Sequence, residues 1–324
     1  MTEERPSAEG TQGRAVVYTE FGSPDVLHVD EITVPPASEG HLLVRVEAAG
    51  INPIDAKLRG GLRTSDPITT PRRVGRDGSG VVVALGEGVE GFRVGEPVSF
   101  IDTQGSYATT VRVAAAHAVP RPANVSAVAG AGIGIPCGTA YQALRSLAVG
   151  PGDTLLLHGG SGSVGQAAIQ YAVLWGARVV ATCSARRAER VAALGATPIA
   201  YGAGVVERAR EAAPAGFTVA LDAAGTDEAL TASLDLVSDK TRIATIVRGA
   251  DADSLGIRAF SGGSPHPLTD IENAWRAEAL PVTMALLAAG AFSIEEGPEF
   301  SLDRAADAHR ALEAGVDGKA VIVP

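Results

Sequence analysis

The chain has 324 residues, 46% of them hydrophobic, and a formal net charge of −10. That is enough apolar material for two domains with sizeable cores, and an acidic chain without a basic block disfavours a nucleic-acid partner. The polar, acidic start MTEERPSAEG is no signal peptide, no run of about 18 apolar residues predicts a transmembrane helix, and two cysteines, Cys137 and Cys183, cannot build a disulfide framework. A soluble protein of the cytoplasm, with no membrane partner, is expected.

Residues 1–12 read as a frayed start. Short β-prone runs follow: RAVVYTE, VLHVDEITV, HLLVRVEAAG, GSGVVVALG, PVSF and, from Tyr107, YATTVRVAA. Leu42 to Glu47 partly alternates apolar and polar residues, as a half-buried strand does. Glycines and prolines separate the runs, which predicts a mostly β domain. The texture changes near residue 124. The stretch NVSAVAGAGIGIPCGTAYQALRSLA is helical in its second half, and PGD at 151–153 ends it.

From there strands and helices alternate. DTLLLHG, ARVVATC, TPIAY, FTVALDAAG and TRIATIV read as strands, and LGIRAF as a sixth. Helices are expected at Val164 to Trp175, at Ala185 to Leu194, over VVERAREAA and from about Asp227. Repeated βα units predict a parallel sheet with helices on both faces. In the tail, TDIENAWRAEALPVTMALLAAG predicts a helix bent or restarted at Pro281. After FSIEEGPEFSL come a helix across Ala305 to Glu313 and a last strand, KAVIVP. These pieces need a partner surface and are expected to fold back onto the N-terminal β domain. The expected boundaries are 1–124 and 266–324 for one domain and 125–265 for the inserted one, with a cleft between them as the ligand site.

The strongest local signal lies in DTLLLHGGSGSVGQAAIQYAVLWGARVVAT. Gly160, Gly162 and Gly165 have the G-x-G-x-x-G spacing, after a strand and at the start of a helix. Gly160 is assigned the tight turn, Gly162 the approach of a dinucleotide pyrophosphate, and Gly165 the close packing of helix on sheet. The free N–H groups of the helix start, Ser163 and Val164 included, face the phosphates. No G-K-[ST] follows, which argues against a P-loop.

An NAD site places an acidic residue about 20 residues beyond the first glycine. Here the segment is VVATCSARRAER. The strand ends without an acid, Glu189 lies inside the next helix, and Ser184, Arg186 and Arg187 occupy the junction. A guanidinium forks onto a 2′-phosphate that a carboxylate would repel, so NADPH is favoured over NADH. Asp222, at the end of FTVALD, either lines the nicotinamide side or caps a helix. Arg248 and Gly249 lie at a similar edge and are candidate cofactor contacts.

None of the six histidines forms H-E-x-x-H or a close pair with a cysteine, and no C-x-x-C exists. Structural zinc is not expected, though a catalytic zinc assembled from distant residues is not excluded by composition. His158, just before the glycine turn, reads as a packed histidine rather than a catalyst. Cys137 and Cys183 read as buried thiols.

The whole pattern resembles the zinc-independent quinone oxidoreductase group of the medium-chain dehydrogenase/reductase superfamily, from about Arg14 to Pro324. The resemblance rests on EAAGINPIDAKLRGG, GRDGSGVVVALGEGVEGFRVGEPV, GSYATTVRV, GTAYQAL, HGGSGSVGQAAIQYA, ATCSARRAERVAALGA and GKAVIV. It implies an α/β protein in which a Rossmann doubly wound sheet is inserted in a GroES-like, mostly β catalytic domain formed by both chain ends. Zinc-dependent relatives carry a cysteine in G-I-C-x-x-D and a histidine in G-H-E. Here those positions hold Asn52 and Arg76, neither a suitable zinc ligand. Cys137 stands near another zinc cysteine position but shifted by two residues from the GTAY anchor. No metal is expected.

The resemblance implies that Asn52 lies near the nicotinamide and substrate and that Thr139 contacts the cofactor. It implies that Ser184, Arg187 and Tyr201 frame the 2′-phosphate and that Lys319 approaches the cofactor. From the residues alone, Tyr201 reads equally as a sheet-edge cap and Asn52-Pro53 as a turn. The expected reaction is hydride transfer from NADPH to a quinone. The alternatives are an enoyl or 2-alkenal reductase acting on α,β-unsaturated carbonyls, and a non-enzymatic NADPH-binding sensor. The Asn52 amide is a candidate donor to the developing oxyanion, with Lys57 and Arg59 weaker candidates, Tyr107 either a cleft residue or core, and water a source of the proton. Acceptor choice is expected in the loops GLRTSDPITTPRR and FSGGSPHPLTD. The family offers homodimerisation as an assembly state.

Overall fold

The computed structural model describes residues 10–63, 66–260, 264 and 266–324. The remaining residues, which include most of the expected frayed start and parts of both expected acceptor loops, lie outside that description. In chain order the first elements are strands β1 (Thr11–Tyr18), β2 (His28–Val34) and β3 (His41–Gly50), helix α1 (Pro53–Arg59), then β4 (Arg72–Arg73), β5 (Gly78–Leu85), β6 (Pro97–Phe100), β7 (Thr110–Ala114) and β8 (Ala118–Pro120). Helices α2 (Ala127–Gly132) and α3 (Gly134–Ser146) follow.

The alternating part is β9 (Thr154–His158), α4 (Ser163–Leu174), β10 (Arg178–Cys183), α5 (Ala188–Ala193), β11 (Thr197–Ala200), α6 (Val205–Ala212), β12 (Val219–Asp222) and α7 (Asp227–Leu236). It ends with β13 (Ile243–Thr245), α8 (Ala252–Leu255), β14 (Arg258–Ala259) and α9 (Asp270–Ala288). The tail adds β15 (Glu296–Ser301), α10 (Ala305–Ala314) and β16 (Lys319–Val323).

Two compact units result. One runs up to Ile135 and resumes at Leu280–Pro324; the other is Pro136–Ala279. The boundaries therefore fall later than the expected 124/125 and 265/266. The reason is local: Ala131, at the end of α2, is fully buried in a cluster with Ala48 of β3 and Val321 of β16, so this helix belongs with the strands.

In the first unit, a seven-stranded sheet runs β15-β16-β3-β5-β6-β8, with β7 also paired to β3, beside a three-stranded sheet β2-β1-β4. The returning tail enters through β16, antiparallel to β3 at Val321↔Gly50. In β3, Leu42, Leu43, Val44 and Val46 are buried, Arg45 is exposed and Glu47 half-buried, so the period-two pattern of a strand with one face on the core holds only from Val44 to Glu47. Val16, Val82, Phe100, Tyr107, Leu302 and Ile322 complete this core.

The second unit is a six-stranded sheet in the order β11-β10-β9-β12-β13-β14, parallel throughout. The order reverses between β9 and β12, the doubly wound arrangement whose ligands bind beyond the carboxyl ends of the strands. Two expectations need correction. Helix α9 runs unbroken through Pro281 rather than restarting there. Asn52-Pro53 is not a free turn but the N-cap and first residue of α1, the position where a missing N–H costs nothing.

Candidate active site

The register of the parallel sheet gathers the expected cofactor residues of the second unit on one edge. Cys183 pairs with Ala200, Asp222 with His158, and Asp222 with Thr245. The next residues in each strand, Ser184, Tyr201 and Gly159, therefore line the same edge. The left-handed residue of the glycine turn is Gly159 (φ +81°), not Gly160. Gly160 is needed for a different reason: a Cβ there would stand 2.7 Å from Cβ of Ala181. The Gly159 and Gly160 N–H groups donate to Thr182 at 3.1 and 2.9 Å, which fastens the turn to β10.

At Gly165 a Cβ would lie 2.1 Å from the Gly159 carbonyl oxygen, so helix and turn touch backbone to backbone. Gly162 is different. It is exposed, and a Cβ there would meet only the Gly159 oxygen, at 3.6 Å. Gly162 is also the N-cap of α4 and gives no side chain to the first-turn N–H groups of Ser163, Val164 and Gly165. The result is an uncapped helix start beside an open approach, which suits an anionic group such as a pyrophosphate.

Beyond β10, Ser184 is followed by a short 3-10 turn over Ala185–Arg187, closed by the Arg187 N–H donating to the Ser184 carbonyl at 2.9 Å. No acidic residue stands there; Glu189 is exposed in the first turn of α5. Arg187 is half-buried and close enough to Cys183 to offset part of the burial that pushes that thiol up. Arg190 donates to Gln166 at 2.8 Å, and Gln166 donates to the Ser161 carbonyl at 2.9 Å, tying the arginine-bearing segment to the glycine turn. Tyr201 is 63% exposed.

Asp222 neither caps α7 nor stands free. Its Oδ1 accepts from the N–H groups of Ala224 and Gly225, and its Oδ2 from Thr245; the cap of α7 is Thr226. Arg248 follows β13, and its guanidinium is ion-paired with Asp227 at 2.8 Å and Asp251 at 2.5 Å. Thr139 lies in α3 and is buried. His158 is buried, its Nε2 without a hydrogen-bond partner, and burial pushes its imidazole down to about 4. It is a packed residue.

Asn52 belongs to the first unit and stands in a buried polar cluster. It is 1% exposed. Its side-chain nitrogen donates to Asp77 Oδ1 at 2.8 Å and to the Gly50 carbonyl at 3.2 Å, while its oxygen accepts from Lys319 Nζ at 2.6 Å. Lys319 also donates to the Ile51 carbonyl at 2.7 Å. Asp77 Oδ2 accepts from the Ile135 N–H at 2.7 Å. The chain makes room with glycine: a Cβ at Gly134 would stand 2.4 Å from that of Asp77.

One layer away, Asp55 Oδ2 accepts from the Asn52 N–H at 2.9 Å and from the Tyr107 hydroxyl at 3.1 Å. Its Oδ1 is buried without a partner. Burial, then the neighbouring Asp77 charge, pushes the Asp55 carboxyl up to about 7 against the pull of Asn52, Lys319 and Tyr107. Burial likewise raises Asp77. Both Asn52 amide hydrogens are thus engaged inside the protein, so the side chain orients this cluster and has no donor left for an oxyanion.

Tyr107 is core, fully buried. Arg59 is buried too; it donates to Gly22, His309 and Glu313 and holds α10 in place. The roles of Asp55 and Asp77 were missed by sequence reasoning, although the Asn-x-x-Asp spacing at a helix start carries the signal of a side chain reaching back to the cap. Among the described residues no group of three or more His, Cys, Asp or Glu is placed to hold a metal. Where zinc-dependent relatives have their cysteine, the Asn52 amide is held by the Lys319 ammonium, and such an amide is not one of the usual zinc ligands.

Two family models match the chain: "Alcohol dehydrogenase GroES-like domain" over residues 38–123 and "Zinc-binding dehydrogenase" over residues 163–261. A quinone oxidoreductase of Homo sapiens is 37% identical over 182 residues, which span 55% of this chain and 55% of that protein. The chain thus matches only about half the length of such relatives in sequence. In structure the likeness extends further. A quinone oxidoreductase from Coxiella burnetii is 28% identical, with a TM-score of 0.80 over 97% of this chain and 100% of that one. A mycobacterial protein complexed with NADPH is 27% identical, with a TM-score of 0.81 over 96% and 100%. A GroES-like part, a Rossmann sheet in the reversed order and these matches lead to one likeness: in sequence and structure the chain is similar to zinc-independent quinone oxidoreductase members of the medium-chain dehydrogenase/reductase superfamily.

Proposed function

We propose that the chain is an NADPH-dependent reductase that passes hydride to a quinone without a metal. The observation that carries this reading is the sheet edge of the second unit, shared by an uncapped helix start at Gly162, the acid-free end of β10 with Ser184 and Arg187, and Tyr201 after the neighbouring β11. The N–H groups of Ser163, Val164 and Gly165 hold the pyrophosphate. Ser184, Arg187 and Tyr201 frame the 2′-phosphate, with Arg187 supplying the charge. Thr139 and Arg248 are the further cofactor contacts, and Lys319, expected to approach the cofactor, acts through its bond to Asn52.

NADPH supplies the hydride and the protein supplies position and field. Asn52, locked between Lys319 and Asp77, fixes the loop that positions nicotinamide and acceptor. Preorganisation of this kind contributes because the groups do not reorganise during reaction. Water protonates the product. The reading includes a cytoplasmic location, supported by the two buried cysteines, Cys137 and Cys183, which form no disulfide and fit a reducing compartment.

The test is the loss of NADPH absorbance in the presence of naphthoquinone and of an aliphatic enone. Turnover of the quinone with a kcat/KM on the order of 10⁴ M⁻¹s⁻¹ or more is expected of an enzyme acting on its own substrate class. Faster turnover of the enone selects the alkenal reductase reading, and binding of NADPH without turnover of either acceptor removes the enzyme reading altogether.

A further inference from the structure

The first unit contains a cavity of about 680 Å³ whose wall includes Asp55, Arg72, Arg73, Arg76 and Arg112. Four guanidinium groups in one cavity stand out in a chain whose net charge is −10. Their partners are unequal. Arg76 pairs with Asp102 at 3.6 Å. Arg73 donates to the Gly105 carbonyl at 2.7 Å, and its Nε is buried without a partner. Arg72 donates to the backbone carbonyl of Asp66 and stacks on Phe21. Among the described residues no carboxylate lies within ion-pair distance of Arg72, Arg73 or Arg112. Carbonyl partners satisfy donors but leave the charge uncompensated, and burial already pulls the Arg73 guanidinium down.

The wall carboxylate, Asp55, does not balance this charge, because it is drawn inward by Asn52 and Tyr107. It does locate the cavity. Asp55 accepts from the Asn52 N–H, so the arginine wall adjoins the cluster that positions the acceptor in the reading above.

We propose that this cavity is an anion subsite and that the preferred acceptor carries a carboxylate, sulfonate or phosphate held by Arg73 and Arg112, with Arg72 adding to the field. The inference rests on the reductase reading for the word acceptor, but the anion site itself does not. A planar guanidinium with unfilled donors and no counter-ion is the group that binds such an anion in a bidentate way.

The experiment pairs naphthoquinone sulfonate with the uncharged parent naphthoquinone and measures the ratio of their kcat/KM values in the wild type, Arg73→Gln, Arg112→Gln and, as a charge control, the exposed Arg178→Gln on the other unit. Arg112 is exposed, so its variant stays informative if Arg73→Gln folds poorly. The ratio is expected to fall on the order of tenfold in Arg112→Gln, and at least as much in Arg73→Gln, with no change in Arg178→Gln. Equilibrium dialysis of the sulfonate against the same proteins, with no turnover required, separates the two readings. Arg112-dependent binding without reduction removes the reductase reading and keeps the anion site. A ratio and a binding constant that are the same in wild type, Arg112→Gln and Arg178→Gln overturn the anion site, whatever the enzyme reduces.

Discussion

The Lys319 ammonium donates to the Asn52 side-chain oxygen at 2.6 Å, joining residues 267 positions apart in the chain. Lys319 is 3% exposed and Asn52 1%, so this bond links the start of β16 to the loop after β3 inside the first unit. Buried charges of this kind are retained only where their partners are complete. Here the ammonium has the Asn52 oxygen and the Ile51 carbonyl, with Asp77 as the nearby opposite charge.

Replacing Lys319 by methionine should therefore cost more than its packing. The variant leaves Asp77 raised still further by burial and strips an acceptor bond from Asn52. A loss of about 3–5 kcal/mol is expected, the range for removing one partner of a buried charged group. Urea unfolding measures it, and a loss below about 1 kcal/mol would mean that Lys319 is not integral to the cluster.

The glycines of the turn should separate by function. Gly165→Ala places a Cβ 2.1 Å from a backbone oxygen, and a stability loss of roughly 3 kcal/mol is expected from such overpacking. Gly162 has φ −73° and an open approach, so Gly162→Ala should fold with nearly the wild-type melting temperature. Its added methyl instead stands at the proposed pyrophosphate site, and NADPH affinity by fluorescence titration should fall about tenfold, a loss of roughly 1.4 kcal/mol. Unchanged affinity in a folded Gly162→Ala protein would count against the glycine turn as the phosphate site.

Asp55 should make stability depend on pH in an unusual direction. Its carboxyl is pushed from 3.8 up to about 7 by burial and by Asp77. Between those values the folded state keeps a proton that the unfolded state has released, so this residue's contribution falls as pH rises from about 4 to about 7. In Asp55→Asn that titration is gone. The wild type should lose stability relative to the variant between pH 5 and pH 8 in urea titrations. A difference between the two proteins that is the same at both pH values would contradict the raised carboxyl.

The buried histidines work in the opposite sense. Burial holds His158 at about 4, and burial with the Arg59 charge holds His309 at about 4. As pH falls from about 6.5, the unfolded chain takes up protons that the folded one refuses, so the stability these residues carry is lost toward pH 4. Arg59 Nη1 lies 3.2 Å from His309 Nδ1; the arginine can only donate, so the His309 proton is on Nε2. Long-range nitrogen–proton NMR at pH 5.5 should find both rings neutral and that tautomer at His309. A protonated His309 ring at that pH would refute the assignment.

The doubly wound sheet was legible in the sequence because its strands are apolar runs with glycine turns between them, and the period changes from two to that of a helix at each unit. DTLLLH, RVVATC and VALD sit where their patterns put them. Of the two outcomes expected at Pro281, a bend or a restart, the restart is excluded: a proline in a long amphipathic pattern often breaks it, whereas α9 carries it without a break. The turn assignment slipped by one residue because three of four consecutive positions near Gly159 are glycine, and spacing cannot tell which takes the positive φ. Asn52 was singled out, but its neighbours were not visible as a cluster. Asp55, Asp77, Tyr107 and Lys319 are brought together by strand register, and no local pattern records which of them fill one another's hydrogen bonds.

The proposed basis of NADPH selection is Arg187 at an acid-free strand end. It is tested most directly by steady-state kcat/KM for NADPH and NADH with naphthoquinone, in the wild type and in Arg187→Ala. One charge-assisted phosphate contact implies an NADPH preference of at least about tenfold, most of it lost in the variant through the NADPH value. Equal efficiency with NADH in the wild type, or an equal loss for both cofactors in Arg187→Ala, would overturn it.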